Sequence, residues 1–299
     1  MSLIIDVQQV TKKYGNNTAL NNVEFSLESG APVALVGPNG AGKTTLFSVL
    51  CGYIQPTSGN INILGHSPGN SALFGRLSAL PQDAQLDPRF SIAMQLNFYA
   101  RLQGMSSKQA KIDTLRVLDM VGLQDATKSL PAELSHGMRK RATIAQALLG
   151  SPEIVMLDEA TAGLDPANAK EIRAIVAEHA DNVNFILSSH DLNELERLCD
   201  RVLYLESGHL KQHQTQDNNV NTRYITLRVK QAYQDLIPKL SIIPSVEKIE
   251  MTQDKEYLLT INSALSANNV EIDLLKILIK NNWLYSHIIN GKTLENQLF

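Results

Sequence analysis

Short apolar runs recur along the first two thirds of the chain, and between them apolar residues return every three or four positions. Val33-Ala34-Leu35-Val36 is a buried strand running into a glycine loop, and the helical segment Lys43–Leu50 that follows is closed by Gly52. Ile154-Val155-Met156-Leu157, Asn184-Phe185-Ile186-Leu187 and Val202–Leu205 are further strands, with helices predicted at Ala167–His179 and Leu192–Cys199. Strands alternating with helices from Leu3 to about Leu210 predict an α/β fold with a mostly parallel sheet covered on both faces. Such sheets bind ligands beyond the carboxyl ends of their strands.

Between Phe90 and Leu149 the pattern is helical only. Ser107 is placed to cap a helix Lys108–Val121 that Gly122 ends. A second helix, from about Gly137 to Leu149, stops at Gly150 and Pro152. This predicts a helical subdomain at about residues 88–150, inserted into a core that spans residues 1–212. The polar segment Lys211–Asn221, rich in Gln and Asn, reads as a linker, placed at residues 213–222. Beyond it Tyr224–Val229, Val246–Met251 and Tyr257–Ile261 alternate like strands, Asp273–Lys280 is helical and Trp283–Ile289 is a strand. They predict a small C-terminal α+β domain over residues 223–299. The chain shows no internal repeat.

Composition narrows the classes. Hydrophobic residues make up 43% and charged residues 19%, the balance of a soluble globular chain. A net charge of -3 lacks the basic excess of a nucleic-acid binder, so no nucleic-acid partner is expected. Cys51 and Cys199 have neither metal-ligand spacing nor a disulfide framework. Met1–Val10 has no basic and apolar leader pattern. The longest apolar candidate for a membrane span, Ile272–Ile279, carries Asp273 and Lys276 and falls short of the roughly 20 residues a bilayer needs. If the protein works at a membrane, another polypeptide is expected to span it.

Candidate chemistry begins at Gly37-Pro38-Asn39-Gly40-Ala41-Gly42-Lys43-Thr44, which fits G-x-x-x-x-G-K-[ST] at every defined position and sits between a strand and a helix. Glycines let backbone N–H groups turn inward around an anion, and the helix N-terminus adds its positive end. Lys43 places a charge on β/γ-phosphates, Thr44 offers a hydroxyl to Mg²⁺, and Thr45 completes the cradle. Further on, the strand ending at Leu157 runs into Asp158 and Glu159. Asp158 is placed to hold Mg²⁺ and Glu159 to polarise the attacking water, since phosphoryl transfer depends on positioning and charge neutralisation.

Together these motifs, with others in matching order, resemble the ATP-binding subunits of ABC transporters from Leu3 to about Leu210. The resemblance implies a P-loop NTPase core and an ATPase using ATP and Mg²⁺. It implies that Tyr14 stacks on adenine beside Ala19, and that Gln82, in Leu80-Pro81-Gln82-Asp83, senses Mg²⁺ and water and couples to a membrane subunit. Leu134-Ser135-His136-Gly137-Met138 resembles the family signature Leu-Ser-Gly-Gly-Gln, departing from it at His136 and Met138. Ser135 and the Gly137 N–H are then the donors to a γ-phosphate held by a second subunit. Gly163-Leu164-Asp165-Pro166 resembles the loop that links two active sites, with Ala160 where a proline is usual. His190, in Ser188-Ser189-His190-Asp191, resembles the histidine that hydrogen-bonds the γ-phosphate.

The same resemblance implies a head-to-tail homodimer with ATP at its interface. It implies a separate integral-membrane permease and a peripheral position at the cytoplasmic face of the inner membrane. The C-terminal domain and its ending Thr293–Phe299 resemble the extension of type-2 exporter ATPases, which points to export. A soluble ABC ATPase of DNA repair or translation is expected to carry tandem cassettes, coiled coils or zinc modules, none of which is read here. A non-hydrolysing regulatory cassette is expected to lack Glu159 or His190.

Overall fold

A computed structural model describes residues 2–190, 195, 198–199, 201–214, 222–262 and 270–290. The chain divides into two compact units, Met1–His213 and Gln214–Phe299. In the first, β1 (Leu3–Tyr14), β2 (Asn17–Glu28) and β4 (Ser58–Ile63) form an antiparallel sheet in the order β2-β1-β4. A second, six-stranded sheet contains β3 (Val33–Val36), β5 (Leu77–Leu80), β6 (Ile154–Leu157), β7 (Asn184–Ser189), β8 (Arg201–Glu206) and β9 (His209–Gln214). Its order is β5-β6-β7-β3-β8-β9, and the contacts from β5 to β8 are parallel. The expected parallel sheet is therefore present, but the strands between Leu3 and Glu28 belong to the antiparallel one.

Every residue of β3 and β6 is buried. That is why these strands read as unbroken apolar runs: both faces of the sheet are covered. Phe185, Leu35 and Leu46 lie fully inside, each contributing about 1.5–3 kcal/mol by leaving water. Helix α1 (Lys43–Leu50) follows β3, and α5 (Pro166–His179) precedes β7.

The helical stretch holds α2 (Ile92–Leu102), α3 (Ser107–Met120) and α4 (His136–Ala147). Ser106, not Ser107, caps α3: its hydroxyl accepts the Gln109 N–H at 3.3 Å, and the Gln109 side chain accepts the Ser106 N–H at 3.0 Å. A glutamine three residues on selects the first serine of the pair. A second correction falls at the end of the unit, where Lys211 to Gln214, read as linker, complete β9. The expected helix Leu192–Cys199 lies mostly outside the described residues, as do residues 215–221 of the linker and the ending Thr293–Phe299.

The second unit is an antiparallel sheet in the order β11-β12-β10-β13, made of β10 (Thr222–Val229), β11 (Val246–Gln253), β12 (Glu256–Asn262) and β13 (Tyr285–Asn290). The helices Leu236–Leu240 and Val270–Lys280 bring Leu240, Leu274 and Leu278 into a core with Ile225, Leu227 and Leu259.

Candidate active site

The loop after β3 is shaped by space as much as by backbone angle. A β-carbon on Gly37 would lie 2.0 Å from the Leu205 carbonyl oxygen of β8, and one on Gly42 would lie 2.5 Å from that of Ala19. Gly40 and Gly42 also have φ of 79° and 109°, a left-handed region that other residues enter at a cost. The loop hands the chain to α1 at Lys43, with no acidic residue in the first turn to take up the free N–H groups. Those donors and the helix dipole are left for an anion. Lys43 is buried; its Nζ donates to the carbonyls of Gly37 at 2.7 Å and Pro38 at 3.3 Å, and lies 3.6 Å from Glu159 Oε1.

Strand β6 delivers Asp158 and Glu159 at its carboxyl end, 3% and 8% exposed. Thr44 Oγ1 donates to Asp158 Oδ2 at 3.0 Å, and Ser188 Oγ, from β7, donates to Asp158 Oδ1. The same serine oxygen accepts the Glu159 N–H at 2.8 Å. Glu159 has φ of 45°, strained for a non-glycine residue, and the serine bond holds it there. Its carboxylate lies between Lys43 on one oxygen and His190 on the other, where Oε2 is 3.1 Å from Nδ1.

A cavity of about 600 Å³ opens in front of these groups, lined by Tyr14, Ala19, Asn39 to Thr45, Gln82 and Glu159. Tyr14 is half exposed, and the Lys12 ammonium lies 5.0 Å from its ring centre. Asn17, Thr18, Ser207 and Gly208 complete the wall; the sequence singled out none of them. Gly37 and Pro38 are not among its lining residues and hold Lys43 through their carbonyls. Asp158 is reached through Thr44, and His190 through Glu159.

Three expected site residues stand apart from this cavity. Ser135 caps α4, its hydroxyl accepting the Met138 N–H at 3.2 Å, and Gly137 is the second residue of that helix. Asp165 caps α5, with Oδ1 accepting the N–H groups of Ala167 and Asn168 at 3.0 Å each. The Asn168 backbone N–H, then its side-chain amide, hold the Asp165 carboxyl below its ordinary value.

A smaller cavity, about 370 Å³, shares Gln82 with the first and is lined on the α4 side by His136, Arg139 and Lys140. Burial lowers the Lys140 pKa, while the charges of Asp158 and Glu159 oppose that shift. Burial, and then Asp158, push the Cys51 thiol up to about 12. The thiol therefore stays protonated at neutral pH.

Comparison with known proteins decides the family. The family model described as ABC transporter matches residues 20–162. The Nod factor export ATP-binding protein I of Burkholderia orbicola is 35% identical over 210 residues, covering 68% of each chain. The chain belongs to the family of ABC transporter ATP-binding subunits. A second relative, the Nod factor export ATP-binding protein I of Cupriavidus metallidurans, is 30% identical over 264 residues, 84% of each chain, so that likeness runs beyond the first unit. Among solved structures, a dimeric ATP-binding cassette in a post-hydrolysis state bound to ADP and Pi covers 71% of this chain and 99% of its own. Its TM-score is 0.64 at 24% identity, a likeness of fold. The expected P-loop NTPase core is thus the fold observed.

The loop around Lys43, with a buried ammonium and the free N–H groups of a helix start, has the chemistry to hold an anionic ligand. The residues beside it also fit Mg²⁺. A hydroxyl and a carboxylate oxygen, Thr44 Oγ1 and Asp158 Oδ2, stand 3.0 Å apart; they are hard donors of the kind that bind this ion together with substrate phosphates and water. Among the described residues no group of three His, Cys, Asp or Glu forms an all-protein metal cage.

Proposed function

We propose that this subunit hydrolyses Mg·ATP and that the cycle drives export through a separate membrane permease. The observation carrying the hydrolytic reading is Glu159, whose carboxylate is held between Lys43 and His190 at the end of the cavity. Tyr14 stacks on the base, and the loop from Gly37 to Thr45 surrounds the triphosphate. Lys43 turns from its carbonyl partners to the β- and γ-phosphate oxygens. Glu159 accepts a proton from the attacking water as that water's oxygen bonds to the γ-phosphorus and the bond to ADP breaks. His190 orients the Glu159 carboxylate and donates to the γ-phosphate, and Gln82 faces the same water. Thr44 and Asp158 would hold Mg²⁺, which when bound neutralises charge on the β- and γ-phosphates.

Ser135, Gly137 and Asp165 stand outside their own chain's cavity, which supports a head-to-tail homodimer in which each chain completes the other's site. The dimeric relative of the same fold supports it too. No described helix is long and apolar enough to cross a membrane, and the passage is assigned to the permease, with this subunit at the cytoplasmic face. The direction rests on the relatives named for Nod factor export.

Purified full-length protein should release phosphate from Mg·ATP. Glu159→Gln should bind ATP yet turn over about 10²–10⁴-fold more slowly, the range for loss of a general base. Turnover at the normal rate would remove Glu159 from this role. Co-purification with a permease, rather than with ribosomes or DNA, tests the transport half.

A further inference from the structure

Gly137 is not required by its backbone angle, since its φ is helical. Space requires it. A β-carbon on Gly137 would lie 1.8 Å from Oδ1 and 2.4 Å from Cγ of Asn168. The Asn168 amide oxygen therefore occupies the place where any other side chain would begin, in the first turn of α4. A Cα–H···O approach of this kind is weakly attractive.

The other end of the same amide is also engaged. Asn168 Nδ2 donates to Asp165 Oδ2 at 2.5 Å, and the Asn168 backbone N–H donates to Asp165 Oδ1 at 3.0 Å. One turn further along both helices, Arg141 of α4 pairs with Glu171 of α5 at 3.4 Å. The starts of α4 and α5 are therefore tied at two successive levels. At the first, a single side chain touches both the signature segment and the Asp165 loop.

We propose that Asn168 is a positioning residue, a strut that makes Ser135-Gly137 and the Asp165 loop one preorganised surface for the nucleotide of a second subunit. The inference rests on the head-to-tail reading above. Two segments fixed to each other lose less freedom on closing over a ligand than two that move separately. Asn168 itself touches no nucleotide in this scheme, so its loss should spare binding by one chain and weaken pairing.

The test uses the full chain carrying Glu159→Gln, in which ATP-driven pairing is followed by light scattering and single-chain ATP affinity is measured at high dilution. Adding Asn168→Ala should leave single-chain affinity within about twofold and weaken pairing roughly tenfold, the scale of one hydrogen bond to a charged group. Gly137→Ala should weaken pairing further. Gly137→Ala with Asn168→Ala should pair better than Gly137→Ala alone, because the clash is gone. Unchanged pairing with Asn168→Ala, or a double variant no better than Gly137→Ala, would overturn the strut. If the parent itself does not pair with ATP, the head-to-tail reading fails, and the strut with it.

Discussion

Thr44 Oγ1 donates a 3.0 Å hydrogen bond to Asp158 Oδ2, joining the first turn of α1 to the end of β6. The phosphate loop and the carboxylate strand are thus registered before any ligand arrives. An ion that replaces this hydrogen bond finds both donors already in place, and little reorganisation is needed to bind it.

The metal can be tested through that pair. Chelating Mg²⁺ should weaken ATP binding to the normal protein about tenfold or more, the loss expected when charge-assisted contacts disappear. Asp158→Asn should bind ATP about equally with and without Mg²⁺. Titration of a fluorescent ATP analogue in Mg²⁺ and in EDTA measures both. A variant that keeps the full Mg²⁺ dependence would remove Asp158 from the ion's site.

Lys43 has its ammonium buried among two carbonyls and Glu159. Lys43→Met keeps the bulk and loses the charge. ATP affinity should fall by about 1.5–3 kcal/mol, roughly 10–150-fold, the value of a hydrogen bond to a charged group. Affinity near normal by calorimetry would contradict the phosphate cradle.

Much of this site was legible because space and charge forced the residue types. Gly37 has a carbonyl where a β-carbon would go, and Lys43 and Asp158 are buried charges at the loop and strand end where the motifs put them. The antiparallel sheet was harder to read. The pairing of β1 with β2 shifts register between Val7 and Val10 and again before Lys12, which interrupts the two-residue alternation that marks an exposed strand. Ser106 and Ser107 are chemically alike, and only the reach of Gln109 separates them. Asn168 and Ser188 act through partners about 30 residues away in sequence, a distance no local pattern reports.

Lys140 gives a pH signature. Burial lowers its pKa against the pull of Asp158 and Glu159, so the folded state binds its proton less readily than the unfolded state does. Between that lowered pKa and the ordinary lysine value of about 10.4, stability should rise with pH. Lys140→Met abolishes the dependence. It should therefore raise the melting temperature at pH 7, and the gain should shrink as pH approaches 10. Calorimetry of both proteins across that range decides it, and a gain independent of pH would count against the buried charge.

Ser188 is the residue on which both carboxylate positions depend. Its hydroxyl donates to Asp158 Oδ1 and accepts the Glu159 N–H, while Ser188 and both acidic residues are almost fully buried. Ser188→Ala leaves an acceptor and a donor without this partner. Each such loss costs about 1–3 kcal/mol, so chemical unfolding should report a destabilisation of about 2–6 kcal/mol. The kinetic effect should fall on kcat more than on KM. The Glu159 backbone, at φ of 45°, would be free to relax and carry its carboxylate from the attacking water, while the loop around Lys43 would still hold the triphosphate. Ser188→Thr keeps the hydroxyl and should recover part of kcat. Equal loss in both variants would mean that packing at this position, and not the hydroxyl bridge, sets the rate.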